Sequence, residues 1–174
     1  MSAGGVVVSP AGVTDRPVLN GLFQFYMYHF SGFEEHGSND LDFEANGLFA
    51  PFEHLESYFT DPARSAHIVR VVGKVAGFVL MNDHSHCGAQ IDHNIGEFFI
   101  AAKFRRGGVG GEVLRQMVVG RPGRWEAAIA AKNTSAQSFW PLAIAALPGV
   151  RDVTTTNGDG QQWNGPILHF TVPG

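Results

Sequence analysis

The sequence predicts an α/β domain on a mixed sheet, and three observations carry that expectation. The hydrophobic period changes along the chain from helical to strand-like, strand runs first follow one another and later alternate with helices, and no composition break divides the 174 residues. One domain spanning 1–174, with one real core, is therefore expected.

A first strand is placed near Val6–Val8. Thr14 and Asp15 stand where an N-cap belongs and Pro17 sits in the opening turn. Leu19, Leu22, Phe23, Tyr26, Met27 and Phe30 then repeat at helical spacing until Gly32 ends the helix. "HGSNDLDFEANG" reads as loop, and "FEHLESYF" as a short helix stopped at Asp61-Pro62. "AHIVRVV" and "VAGFVLMN", split by a turn at Gly73-Lys74, form a hairpin. "HNIGEFFIAA" is apolar enough to be a central strand. A glycine turn, the helix "GEVLRQMVVG", the strand "RWEAAIAA" and the helical stretch "NTSAQSFWPLAIAAL" follow, with Pro141 expected to kink or stop that helix near Trp140. Two strands, "VRDVTTTN" and "PILHFTV", close the chain.

Composition excludes several classes. With 44% hydrophobic and 16% charged residues the chain is neither disordered nor fibrous. The one cysteine, Cys87, rules out an internal disulfide framework and fits no paired-cysteine zinc spacing. "MSAGGVVVSPAGV" carries no basic leader, and no apolar run reaches membrane length, so a cytoplasmic location is expected. Charge is unevenly placed. No lysine or arginine lies between Arg16 and Arg64, whereas Lys103, Arg105, Arg106, Arg115, Arg121 and Arg124 cluster later, as suits an anionic ligand there.

The informative segment is "EFFIAAKFRRGGVGGEVLRQM", where a strand passes through four glycines in five residues into a helix. A helix start offers unpaired N–H groups and the positive end of its dipole, and missing side chains let phosphate approach the backbone. A Walker loop needs lysine before serine or threonine after its last glycine, but Glu112-Val113 follows Gly111. A Rossmann fingerprint wants glycine or alanine at Val113 and an acidic residue after the next strand, where Ala131 and Lys132 stand. The pattern Arg/Gln-x-x-Gly-x-Gly/Ala fits throughout, as Arg105-Arg106-Gly107-Gly108-Val109-Gly110. A ligand-free tight turn is the competing reading, since glycine tolerates conformations other residues do not.

On this motif the chain resembles the GNAT superfamily of acetyl-CoA-dependent N-acetyltransferases. In that family the turn wraps the coenzyme A pyrophosphate, and a later helix opens Asn-x-x-Ala-x-x-Phe-Tyr. Here Asn133-Thr134-Ser135-Ala136-Gln137-Ser138-Phe139-Trp140 follows the next strand. The resemblance implies a mixed, mostly antiparallel central sheet of six to seven strands flanked by about four helices. It also implies acetyl-CoA as cofactor. Arg105, Arg106, Gly107, Gly108, Val109, Gly110 and Gly111 would hold it at the turn, the backbone of Phe98, Phe99 and Ile100 along the strand, and Asn133 and Phe139 beside the pantetheine.

Amine acetylation needs a held thioester, donors for the oxyanion and an acceptor for the ammonium proton. Glu97 interrupts the apolar strand, and simple alternation puts it on one face with Ile95 and Phe99. Burial there would raise its pKa into the range of a general base. The competing role is a structural glutamate paired with a neighbouring arginine. The family's general acid is the tyrosine that Trp140 replaces, and an indole N–H is too weak an acid. Thiolate departure or another hydroxyl such as Tyr58 is left.

His84, His86 and His93, with Asp83, Asp92 and Cys87, crowd one loop, but their spacing matches no metal motif and no metal is expected. His29, His36 and His54 fall on the acceptor side. The acidic span from Glu34 to Asp61 reads as a solvated face in preference to a cation-binding one. The leading expectation is N-acetyl transfer to a primary amine of a small molecule or peptide, with no nucleic acid and no membrane involved. A homodimer is in keeping with the resemblance. The alternatives are an acyl-CoA-binding regulatory module without turnover, and a partner-binding scaffold that kept only the fold.

Overall fold

The structure is a computed structural model and describes residues 5–34 and 41–174. Its elements are β1 (Val6–Pro10), α1 (Arg16–Ser31), α2 (Ser57–Thr60), β2 (Ser65–Val71), β3 (Lys74–Asn82) and β4 (His93–Ile100). They continue with α3 (Val109–Val118), β5 (Gly123–Ala128), α4 (Thr134–Ala145), β6 (Arg151–Asn157) and β7 (Pro166–Val172). One seven-stranded sheet runs in the order β1-β2-β3-β4-β5-β7-β6. Every neighbouring pair is antiparallel except β4 and β5, which are parallel.

The sheet is covered on both faces, so its central strands are apolar on both sides. One face carries Val69, Val79, Ile95 and Phe170 against Val113, Leu114 and Met117 of α3 and Trp140 and Ile144 of α4. The other carries Ile68, Phe78, Leu80 and Phe99 against Leu19 and Phe23 of α1 and Tyr58 of α2.

Several local expectations change. Asp15 precedes α1, but its carboxylate accepts from the Gly12 N–H at 2.9 Å within a short 3-10 turn and does not cap the long helix. The hairpin turn is Val72-Gly73, not Gly73-Lys74. Both residues have positive φ, 48° and 73°, as a two-residue primed turn requires. α2 is one turn long. The loop reading of "HGSNDLDFEANG" lies outside the described residues up to Asp40, and residues 41–47 form neither helix nor strand. Pro141 does not stop α4, which runs on to Ala145, with the Ala146 N–H still bonded to the Leu142 carbonyl at 3.1 Å. Removing one amide donor leaves the flanking turns intact, and Trp140 and Ile144, both buried, hold them to the core.

The alternation along β4 also breaks. Leu80 pairs with Glu97 but Met81 pairs with Ile95, so Gly96 is the extra residue of a β-bulge. Ile95 consequently joins Ile100 in the α3/α4 core, while Phe99 faces α1. Glu97 keeps Phe99 as its face-mate and loses Ile95. Glycine suits the bulge because a Cβ at position 96 would stand 2.7 Å from Asn82 Nδ2 and 3.4 Å from the Tyr58 hydroxyl.

Candidate active site

The site begins where the sheet divides. β4 and β5 are joined by only two register pairs, His93 with Trp125 and Asn94 with Glu126. β4 continues to Ile100 paired with β3, and β5 continues to Ala128 paired with β7. Past Asn94 the two strands part, and the bulge lies at this fork. The residues after it, Glu97 to Ile100, line one arm.

The chain then turns back into α3 through backbone that only bare or strained residues adopt. Arg106 has φ 62° and Gly108 has φ 77°, both left-handed. The N-cap is Gly108, which has no side chain to occupy the first-turn N–H groups of Val109, Gly110 and Gly111. The glycines differ in why they are bare. A Cβ on Gly110 would meet the Phe139 ring at 3.1 Å and Phe98 at 3.9 Å, whereas at Gly108 and Gly111 it would meet nothing within 4 Å. Val109 turns its side chain into the core, leaving its backbone at the turn. A groove of about 220 Å³ between α3 and α4 is lined by Gly108, Gly111, Glu112, Arg115, Ala143, Ala146 and Leu147. Bonds from Arg115 and Gln116 hold the Glu112 carboxyl down at about 2.

The structure thus brings Phe98, Gly110 and Phe139 into one contact, with the Phe98 and Trp140 rings 5.2 Å apart. Trp140 is core. Asn133 caps α4 by accepting from the Ala136 N–H at 3.0 Å. Arg105 does not extend from the turn: its Nε donates to the Ile100 carbonyl at 2.6 Å and its guanidinium lies 5.8 Å from the Phe99 ring centroid. It braces the end of β4, and Arg106, exposed as Arg105 is, stands beside Gly107.

On the opposite face of β4, Glu97 accepts a hydrogen bond from the Tyr26 hydroxyl of α1, in place of an arginine. Its carboxyl is enclosed, and burial pushes its pKa up to about 7 against the lowering effects of the Tyr26 bond and the His86 charge. Tyr26 is raised well above the usual phenol value by its own burial and by Glu97. The Tyr58 phenol, also raised by burial, accepts from Asn82 Nδ2 at 3.0 Å, and Asn82 Oδ1 in turn accepts from Asn94 at 2.9 Å. A carboxyl poised near neutrality beside two protonated phenols can take up and pass on a proton. In the sequence Tyr26 reads only as a core residue of the α1 stripe; a polar tip on an otherwise apolar helix face is the available signal.

Glu126, on β5 across the fork, is fully buried, and the signal that could have found it is the one that marks Glu97, a carboxylate inside an apolar strand run. Burial opposes its ionisation, but bonds from the His86 side chain and backbone, Ser85 and His169 outweigh that and hold the carboxyl at about 2. The described acidic residues of the Glu34–Asp61 span are exposed apart from Asp61, with Glu56 paired to Arg16 at 2.6 Å. They form the solvated face expected. His29 packs edge-on against Phe30 and Phe33, His54 is exposed, and His36 lies outside the described residues.

No family model matches this chain, and no curated protein matches it by sequence. Solved structures do match. An acetyltransferase from Thermus thermophilus superposes with a TM-score of 0.64 at 17% identity, covering 99% of both chains. The PaiA N-acetyltransferase from Thermoplasma acidophilum, solved in complex with coenzyme A, gives 0.59 at 10% identity, covering 97% of this chain and 98% of its own. Spermidine N-acetyltransferase from Vibrio cholerae, in complex with CoA and spermine, gives 0.55 at 12%, covering 97% and 95%. The chain has the GNAT fold. No described helix is long and apolar enough to cross a membrane.

Proposed function

We propose that this chain is an N-acetyltransferase that moves the acetyl group of acetyl-CoA to a primary amine of a small molecule or peptide. The observation that carries the reading is the fork between β4 and β5, with Phe98 against the bare start of α3 on one side and Glu97, near-neutral in pKa, on the other. Structural neighbours solved with coenzyme A, one of them beside spermine, support the cofactor and the amine class.

In this scheme the pyrophosphate lies on the N–H groups of Val109, Gly110 and Gly111, where the helix dipole favours negative charge, with Arg106 and the backbone of Gly107 and Gly108 beside it. The thioester arm takes the place of a strand partner along the free edge of Phe98, Phe99 and Ile100, with Phe139 packed at the turn and Asn133 holding α4. Arg105 acts through the Ile100 carbonyl that it braces. The amine nitrogen attacks the thioester carbon, Glu97 takes the ammonium proton, the carbon–sulfur bond breaks and the coenzyme leaves as thiolate. Tyr58 keeps its proton at neutral pH and is the hydroxyl we assign to reprotonating it.

A second reading, an acyl-CoA-binding regulatory module without turnover, is favoured by Trp140 at the position of the family tyrosine. Titration with acetyl-CoA followed by thiol release with a panel of primary amines separates the readings. Saturable binding with amine-dependent thiol release is expected. Binding without release under every amine supports the module, and no binding at millimolar acetyl-CoA removes both.

A further inference from the structure

The loop after β3 carries an unused cluster. Cys87 Sγ lies 3.6 Å from His169 Nε2 on β7 and 3.9 Å from Glu126 Oε2 on β5, and those two atoms are 3.1 Å apart. Three side chains from three separate elements point one ligand atom each at a common centre. Among the described residues, this is where three such atoms fall within 4.8 Å of one another. Zinc bonds of about 2.3 Å to sulfur and about 2.0–2.2 Å to nitrogen and oxygen, at tetrahedral angles, place ligand atoms roughly 3.3–3.6 Å apart. The observed triangle has those edges to within a few tenths of an ångström.

An acyl-enzyme nucleophile does not fit the same atoms. A Cys-His-carboxylate relay needs the thiol on one imidazole nitrogen and the carboxylate on the other. Here both face Nε2.

We propose that Cys87, Glu126 and His169 form a three-ligand zinc site that pins the β3–β4 loop onto β5 and β7. Thiolate and imidazole together select zinc over magnesium or calcium. On binding, the Cys87 thiol releases its proton to solvent and becomes a thiolate, and His169 moves its ring proton from Nε2 to Nδ1. Glu126 ligates through Oε2. Its other oxygen keeps the backbone N–H of His86 at 2.7 Å and the His86 ring nitrogen at 2.9 Å, the outer-shell support that holds a ligating carboxylate in place. Cys87 is exposed, so the fourth position opens to solvent, as in sites that keep a bound water. The sequence conceals the site because its residues are 39 and 82 positions from the cysteine, and the histidines nearest to it in the chain are not the ligands.

The test is zinc titration of chelator-treated protein by calorimetry, repeated with cobalt to read the thiolate-to-metal absorption band. One ion per chain, a cobalt–thiolate band and a rise in melting temperature with zinc are expected. Cys87→Ala, an exposed change that leaves the fold in place, and His169→Ala should weaken affinity by more than the roughly 10–100-fold that losing an outer partner costs. His84→Ala, an exposed loop histidine outside the triangle, should leave it unchanged. Absence of saturable binding in the parent protein overturns the proposal, as does an affinity that Cys87→Ala leaves intact. Neither result bears on acetyl transfer, which uses the other side of the fork.

Discussion

Glu97→Gln tests the proton acceptor through two independent quantities. Raising the carboxyl from its usual 4.5 to about 7 makes ionised Glu97 cost the folded protein about 3 kcal/mol, at roughly 1.4 kcal/mol for each pH unit. The folded state therefore binds more protons than the unfolded chain between those values, and stability from this residue is lost as pH rises from about 4.5 through 7. Glutamine removes the loss. At pH 8 the variant should be more stable than the parent by up to about 3 kcal/mol, and at pH 4 the two should match. For the reaction, kcat/KM of the parent should rise about tenfold per pH unit up to about 7 and then level, because only the carboxylate accepts the proton. The variant should be slower by roughly 10²–10⁴-fold and lack that limb. Denaturant melts across pH and initial rates of thiol release measure both. A variant that keeps the limb at 7, or is no more stable than the parent at pH 8, refutes the assignment.

Further outcomes are expected elsewhere. Gly111→Glu fills open space at the first turn of α3, where helical φ is kept, so its melting temperature should hold while acetyl-CoA affinity falls at least about tenfold by charge repulsion, read by calorimetry. Gly110→Glu is the poorer probe, because its Cβ alone would press on Phe139 at 3.1 Å. Tyr26→Phe deletes the bond that lowers the Glu97 pKa, so the limb of the pH–rate profile should move above 7; a limb that stays or falls would count against the pairing. His67 is buried and held neutral, its pKa lowered to about 4 by burial and Arg121. The unfolded chain then binds more protons between about 4 and 6.5, and stability should fall by up to about 3 kcal/mol as pH drops through that window. His67→Asn melts that show the same fall would assign it to other groups.

Periodicity and turn chemistry make most elements legible: the stripe of α1, the hairpin of β2 and β3, and the glycine turn each announce themselves within a dozen residues. The fork is not legible in the sequence, since nothing local marks where a parallel pairing ends. Gly96 shows why alternation misleads. One inserted residue moves Ile95 to the other face, and in sequence it is indistinguishable from a glycine tolerated in a strand. The bond from Arg105 to the Ile100 carbonyl is invisible in sequence for a related reason, because a long side chain next to a glycine turn can reach backward to a carbonyl as readily as outward. Tyr26, Glu126 and His169 come together across separations of 39 to 82 residues with their partners, distances over which no single-sequence pattern carries information.

Two register pairs between β4 and β5, with the Asp92 N–H bonded to the Arg124 carbonyl at 2.8 Å beside them, stitch a four-stranded unit to a three-stranded one. Mechanically the sheet is two leaves on a short seam, each with its own ladder, under a cover of α3 and α4 that both leaves share. A slender guest laid along the gap supplies rungs that the polypeptide leaves out, so occupancy couples the leaves and raises the work needed to separate them. Amide hydrogen exchange at β5, β6 and β7 should then slow together when the gap is filled, as one block rather than residue by residue.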